Sequence, residues 1–374
     1  MTAPQRFLAL DVFRGMTICL MIIVNTPGNS DTTFAPLHHA NWHGFTPTDL
    51  VFPSFLFAVG NAMSFVMPKW QGLVRNDVIY KIFKRTLIIF LLGYLMYWFP
   101  FFSFDNQHHL VLNPISNTRI LGVLQRIALC YGVASLMVYF LKPRWALYLS
   151  IIFLLFYWAL CIWFGNAIDP FSLTGNASLK LDLWLFGAAH LYHGEGIAFD
   201  PEGLLSTLPA ISNVVAGYAV GQFVQQKGKQ FEGLAKLLLI GVILLFLAYC
   251  WNMAFPINKK LWTSSFVLIT VGLDCILLSV IIYVIDFQKK TKWTPFFEVF
   301  GKNPLFIYLL SEILVISLYI IPIGEDNNLF SWLYINFFSY VGDYFGSLLY
   351  AISFMLLCWS VGYWLNKRKI YIRV

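Results

Sequence analysis

Long apolar runs, separated by shorter polar segments, recur along the whole chain. They lie near residues 7–24, 50–67, 82–102, 120–140, 145–164, 204–225, 234–254, 262–285, 303–321 and 345–365. Each approaches the roughly 20 apolar residues that a helix needs to cross a bilayer. The run at 204–225 is the most polar, holding Ser206, Thr207, Ser212 and Asn213. It predicts a helix that faces protein or a wet cavity more than lipid. The segment 329–340 is apolar but too short to cross, which suits an interfacial or re-entrant piece. The expected fold is an all-α polytopic transmembrane bundle of about ten spans, or eleven if that segment also crosses. A single domain over residues 1–374 is expected.

Ten spans place both termini on one side. The connections on that side, with the two ends, carry nineteen of the 25 Lys and Arg residues. The opposite loops carry only Arg119, Lys180, Lys259 and Lys260. By the positive-inside rule both termini are cytoplasmic. The net charge of +7 is therefore an orientation signal and not a nucleic-acid footprint. Composition agrees: 59% of residues are hydrophobic and 11% charged, against about 25% charged in soluble domains. The first run contains Asp11 and Arg14 and lacks an A-x-A-like site, so no cleavable signal peptide is expected. All six cysteines fall in apolar runs and read as core-filling thiols, with no disulfide framework or metal spacing. No internal repeat is visible, which weakens the commonest transporter architecture.

All seven histidines (38, 39, 43, 108, 109, 190 and 193) fall in the outer loops. His38, His39 and His43 cluster ahead of Thr46-Pro47-Thr48-Asp49, where Thr48 or Asp49 could cap the second span. A neutral imidazole can serve as base or nucleophile near pH 7, and Asp49 could fix its tautomer. An ordinary interfacial loop histidine is the competing reading. Asn25 ends the first span, either as part of a turn or as an amide aimed into an outer pocket. Asp11 and Arg14 share a helical face, as a structural pair or an anion contact. Asp200-Pro201-Glu202-Gly203 is an acidic turn or an amine site. Arg126, inside the fourth span beside Gln125, needs Asp274, Glu312 or an anionic ligand as partner. Asn258-Lys259-Lys260 and the hydroxyls from Thr263 to Ser265 are an interfacial anchor or a ligand contact. Gly301-Lys302-Asn303-Pro304 reads as a helix start.

Eight motifs occur in order: Leu10–Gly15, Val24-Asn25, His39–Gly44, Thr48–Pro53, Gly122–Ile127, Phe199–Leu205, Pro256–Trp262 and Gly301–Leu305. On these the chain resembles the bacterial relatives of heparan-α-glucosaminide N-acetyltransferase, within the transmembrane acyltransferase superfamily. The resemblance runs over nearly the whole chain. It implies transfer of acetyl from cytoplasmic acetyl-CoA to the amine of a glucosamine-type sugar on the far side of the membrane. It implies His39 as catalytic residue, with Asn25 and Asp49 in support. Trp42, Asp200 and Glu202 are the candidates for binding the acceptor. Arg14, Gln125, Arg126, Asn258, Lys259, Ser264 and Asn303 are the candidates for holding acetyl-CoA, and no metal is implied. A homodimer in lipid is expected. So is a bacterial inner membrane rather than a lysosome, because the chain enters its first span almost at once where the animal enzyme has a long lumenal domain. Two other readings stay open: an amino-sugar transporter, and an O-acyltransferase acting on glycan hydroxyls.

Overall fold

The computed structural model describes residues 7–104, 109–324 and 327–372. Arg6, His108 and Arg373 lie outside the described residues. The chain folds into helices α1 (Leu8–Asn25), α2 (Pro47–Trp70), α3 (Arg75–Trp98), α4 (Val123–Phe140), α5 (Pro143–Phe164) and α6 (Ala177–Phe186). Then follow α7 (Thr207–Lys227), α8 (Phe231–Asn252), α9 (Ser264–Ile282), α10 (Thr294–Lys302), α11 (Pro304–Ile320), α12 (Leu329–Leu333) and α13 (Asp343–Lys367). A short antiparallel hairpin pairs Phe102–Phe104 with Leu110–Leu112.

Among the described residues, seven helices are long and apolar enough to cross a membrane: α1, α2, α4, α5, α8, α9 and α13. The bent pair α10–α11 makes an eighth. The chain is an integral membrane protein. Helices α3 and α7 are long enough but more polar; α3 lies at the surface with few buried residues, and α7 has a place inside the bundle. Helix α7 buries Ser212 and Asn213. Ser212 donates to the Ser150 carbonyl of α5 at 3.1 Å, and Asn213 Nδ2 donates to Thr270 Oγ1 of α9 at 3.1 Å. Polar groups in this helix are thus paired inside the protein, which lipid could not do. Helices α5 and α8 carry the largest lipid-facing apolar surfaces.

Close helix approach depends on small residues. A Cβ on Gly217 of α7 would stand 2.0 Å from the Phe57 carbonyl oxygen of α2, and one on Gly60 would stand 2.0 Å from that of Val214. The two helices are locked by reciprocal glycines, the small-residue packing common between membrane helices. Gly15 does the same for α1 against α10, where a Cβ would meet the Phe297 carbonyl at 1.9 Å.

Several expectations are corrected. The ninth run, 303–321, is helix α11, but it is preceded by a short helix not expected from the sequence, α10, and the two meet at 83° across Asn303, because Pro304 starts a new helix and cannot continue the old one. Helix α3 begins at Arg75 rather than 82, so Arg75 and Lys81 ride on a helix with Lys84 and Arg85 and not in a loop. The outer loop 165–203 contains α6, whose N-cap Asn176 accepts the Leu179 N–H at 2.7 Å. Cys250 is exposed on the apolar surface, whereas the other five cysteines are buried.

Candidate functional site

The loop between α1 and α2 is tied down at the start of α2. Pro47 sits in the first helical turn with its φ preset. The cap is Thr46 rather than Thr48: Asp49 Oδ2 accepts the Thr46 N–H at 3.0 Å and its hydroxyl at 3.1 Å. The same oxygen accepts the Ala40 N–H at 3.2 Å. The other, Oδ1, lies 2.7 Å from His39 Nδ1. One carboxylate thus closes the helix and holds the histidine loop on it. A carboxylate only accepts, so the Nδ1 proton belongs to the imidazole and Nε2 presents its lone pair. Asp49 is 1% exposed and His39 45%: a buried orienter under a ring open to solvent.

A second segment also reaches the ring. The α8–α9 loop brings Lys259 Nζ to 3.0 Å from Nδ1 and 3.1 Å from Nε2 of His39, and to 3.8 Å from Asp49 Oδ1. Asn258 shapes this loop: its side chain accepts the Leu261 N–H at 2.8 Å and its own N–H donates to Thr263 Oγ1 at 3.0 Å. Trp262 takes a left-handed φ of 53°, a conformation that persists only where surroundings over-determine it. Its indole, fully buried, donates to Asn213 Oδ1 at 3.0 Å and packs edge-on against Phe52. Burial lowers the Lys259 pKa; Asp49 and Glu202 oppose that, while Lys260 and Arg126 add to it.

A third group comes from the approach to α4. Arg119 donates to Asp200 through Nε at 2.9 Å and Nη2 at 2.6 Å, and to Glu202 at 2.6 Å. Its guanidinium lies between the rings of Tyr97 and Tyr192, 4.9 and 4.8 Å from their centroids. Burial alone would lower its pKa; the two carboxylates reverse this and raise it. Burial also works against the Glu202 charge, but Arg119, Arg126 and Lys259 hold its carboxyl below the ordinary value.

These groups face a cavity of about 950 Å3, with Asn25, His39, Glu195 and Glu312 also in its wall. A second cavity of about 530 Å3 shares Asn25, His39, Glu202 and Lys259 with it and extends to Met21. Met21 and Tyr308 also line a third, apolar chamber of about 860 Å3 between α1, α2, α3, α4 and α11, where Arg14 and Arg85 are the charged residues. Polar outer cavity and apolar inner chamber therefore share walls, and His39 stands on the outer side of the junction. On α1, Arg14, Met21 and Asn25 lie on one face. Eleven residues at about 1.5 Å each separate Arg14 from Asn25 by about 16 Å, roughly half a bilayer core of about 30 Å.

A family model described as heparan-alpha-glucosaminide N-acetyltransferase, catalytic, matches residues 6–247. The chain belongs to this family. It is 27% identical to the mouse heparan-alpha-glucosaminide N-acetyltransferase over 369 residues, covering 84% of this chain and 54% of that protein. It is 28% identical to the human protein of the same name over 371 residues, covering 83% and 53%. The chain thus spans about half the length of the curated relatives it matches.

Of the family's motif residues, the fold brings Asn25, His39, Asp49, Glu202 and Lys259 to one cavity and puts Arg14 in the inner chamber wall. The other candidate site residues, Trp42, Gln125, Arg126, Asp200, Asn258, Ser264 and Asn303, are not in the lining of these three cavities. Asp200 is held under Arg119 and is fully buried. Trp42 donates to the Phe171 carbonyl at 2.9 Å and packs on Phe199, anchoring the histidine loop. Ser264 donates to the Leu154 carbonyl at 2.7 Å. Asn303 bonds the tail, donating to the Ile370 carbonyl at 3.1 Å and accepting the Ile372 N–H at 2.8 Å. Gln125 is buried against Gly93. Arg126 pairs with neither Asp274 nor Glu312: it donates to the Gly203 carbonyl and to Ser206 Oγ and lies over the Trp262 ring. Asp274 bonds Ser54, and Glu312 bonds Asn25. Arg119, Tyr192 and Glu195 have no motif of their own. The one available signal was that Arg119 broke the charge asymmetry, as one of four basic residues in the outer loops.

Proposed function

We propose that the chain is a transmembrane N-acetyltransferase that moves acetyl from cytoplasmic acetyl-CoA to the amine of a glucosamine-type sugar on the other side. The observation that carries this is His39, held by Asp49, at the junction of a polar cavity and an apolar chamber. The apolar chamber suits the uncharged arm of coenzyme A, and Arg14 and Arg85 suit its phosphates at the inner end. The acid-walled outer cavity suits a sugar ammonium: Glu202 stays anionic there, and Glu195 and Glu312 add acceptors. Both relatives are heparan-alpha-glucosaminide N-acetyltransferases, which supports this chemistry.

In this reading the sugar ammonium first gives one proton to solvent. The amine then attacks the thioester carbonyl carbon. His39 Nε2 takes the second proton from nitrogen, acting as general base. The C–S bond breaks, and the coenzyme A thiolate receives that proton from His39. Lys259, which touches Nε2 in the resting site, turns its ammonium to the carbonyl oxygen as negative charge builds there. One such donor contributes about 3–4 kcal/mol. Asn25 holds Glu312 at 3.3 Å across the cavity and positions the acceptor wall. The protein works in this reading as a single domain, as a homodimer, in a bacterial inner membrane with both termini cytoplasmic.

The test is acetylation of glucosamine by the purified protein in lipid, with the product analysed by mass spectrometry. An amide product is expected, and His39→Ala should lower the rate by about a hundredfold or more with the protein still folded. An ester product would move the chain to O-acylation. Full activity of the variant would remove His39 from the chemistry.

A further inference from the structure

Asn25 also lines a chamber of about 940 Å3 that contains neither His39 nor Lys259. It lies beyond the Asn25–Glu312 hydrogen bond, between the turn after α1 and the α11–α12 connection. Its wall continues that of the catalytic cavity. Along α11, Tyr308 and Glu312 face the catalytic cavity, and Val315 and Tyr319 face this one. Steps of four, three and four residues keep all of them on one helical face. A ligand leaving the acid-walled cavity along α11 arrives here without changing walls.

The chemistry of the two compartments differs. Around His39 the wall carries Asp49, Arg119, Glu202, Lys259 and Glu312. Among the described residues, this chamber has no charged side chain in its lining. It offers amides and hydroxyls from Asn29, Ser30, Asn327 and Ser331, set beside aromatic rings. Tyr319 is stacked on Phe330 at 4.5 Å and 15°. Tyr319 is 51% exposed and lines the chamber. The chamber's shape is built in. A Cβ on Gly28 would stand 2.4 Å from the Tyr334 ring, so only glycine lets the α1 turn seat there. Gly28 and Asn29 are further fixed to Ser347 of α13 at 3.3 and 3.1 Å.

We infer that this chamber is a second sugar subsite, which holds an uncharged sugar residue linked to the amino sugar being acetylated. The inference rests on the acetyl-transfer reading above. A flat aromatic face takes the apolar face of a pyranose ring, while neutral amides and hydroxyls bond its rim. The preferred acceptor is then a disaccharide or longer glycan rather than free glucosamine.

The full chain in lipid, with acetyl-CoA, is assayed on glucosamine, on glucosaminyl-N-acetylglucosamine, and on the same disaccharide sulfated on its second ring. Wild type should show a kcat/KM about tenfold or more higher for the uncharged disaccharide, mostly through KM. Tyr319→Ala and Asn327→Ala should each bring that value down to the glucosamine value and leave both glucosamine parameters within about twofold. Equal kcat/KM for glucosamine and the uncharged disaccharide overturns the subsite and leaves the transferase reading standing. So does an equal loss on both acceptors in the variants. A preference for the sulfated disaccharide overturns the uncharged class. Acetylation of none of them overturns the transferase reading, and this inference with it.

Discussion

His39 and Asp49 are ten residues apart in the chain and 2.7 Å apart in space. Their pairing was legible early, because a helix-start signal sits just behind the histidine run. What the sequence did not reveal is how many tasks one carboxylate performs, since it both closes α2 and orients the ring. Asp49→Asn keeps the shape and changes the proton. An amide that donates to Nδ1 forces the proton to Nε2, where the base should be free. The rate of acetyl transfer should fall by about a hundredfold or more, with KM little changed. Lys259 gives a pH signature. Burial lowers its pKa, so its ammonium is lost at lower pH than an ordinary lysine's. Activity that needs this charge is full below that value and declines as pH rises through it. Lys259→Arg stays charged and should move the alkaline limb of kcat/KM upward. An unmoved limb would assign that limb to another group. Lys259 was recognisable as a candidate, but not its contact with His39, because 220 residues separate the two.

Apolar runs located the helices well, since burying backbone in lipid leaves few alternatives. They were poor at boundaries and breaks. Local sequence at 301–304 looks like a helix start, and so it is, but the helix before it was joined to the connecting loop. The polar seventh helix was correctly read as facing protein. Its tight contact with α2 was not legible, because Gly60 and Gly217 carry no pattern until the two helices are superposed. Gly217→Ala pushes a methyl into the Phe57 carbonyl and should destabilise by about 1–3 kcal/mol. A thermal unfolding scan in detergent should show the drop. Gly72→Ala, with nothing within 4 Å of its new Cβ, should leave the midpoint unchanged. Motif glycines take the same reading: Gly15, in the Leu10–Gly15 motif, serves the α1–α10 crossing rather than a ligand.

The whole molecule has two chemically different ends. The histidine loop, the α8–α9 loop and the start of α4 meet at one. At the other, Lys229 lies over the Phe7 ring at 5.3 Å and Lys302 bonds Asn366 at 3.1 Å. Charge asymmetry along the sequence pointed to this arrangement, while the cavities joining the two ends need the third dimension. A sidedness assay follows. In sealed vesicles oriented with the Lys229 end outward, external acetyl-CoA should acetylate only amino sugar trapped inside. In vesicles of the opposite orientation it should acetylate none. Acetylation of sugar on the acetyl-CoA side would show that both substrates enter from one face.

Because the inner chamber and the outer cavity share the walls at Met21 and Tyr308, one molecule could occupy both. An inhibitor that joins an apolar, anion-tipped arm to an amino sugar would present its second half at an effective concentration on the order of millimolar once the first is seated. Its affinity should exceed that of either half by on the order of a hundredfold or more, and its linker would measure the passage at His39.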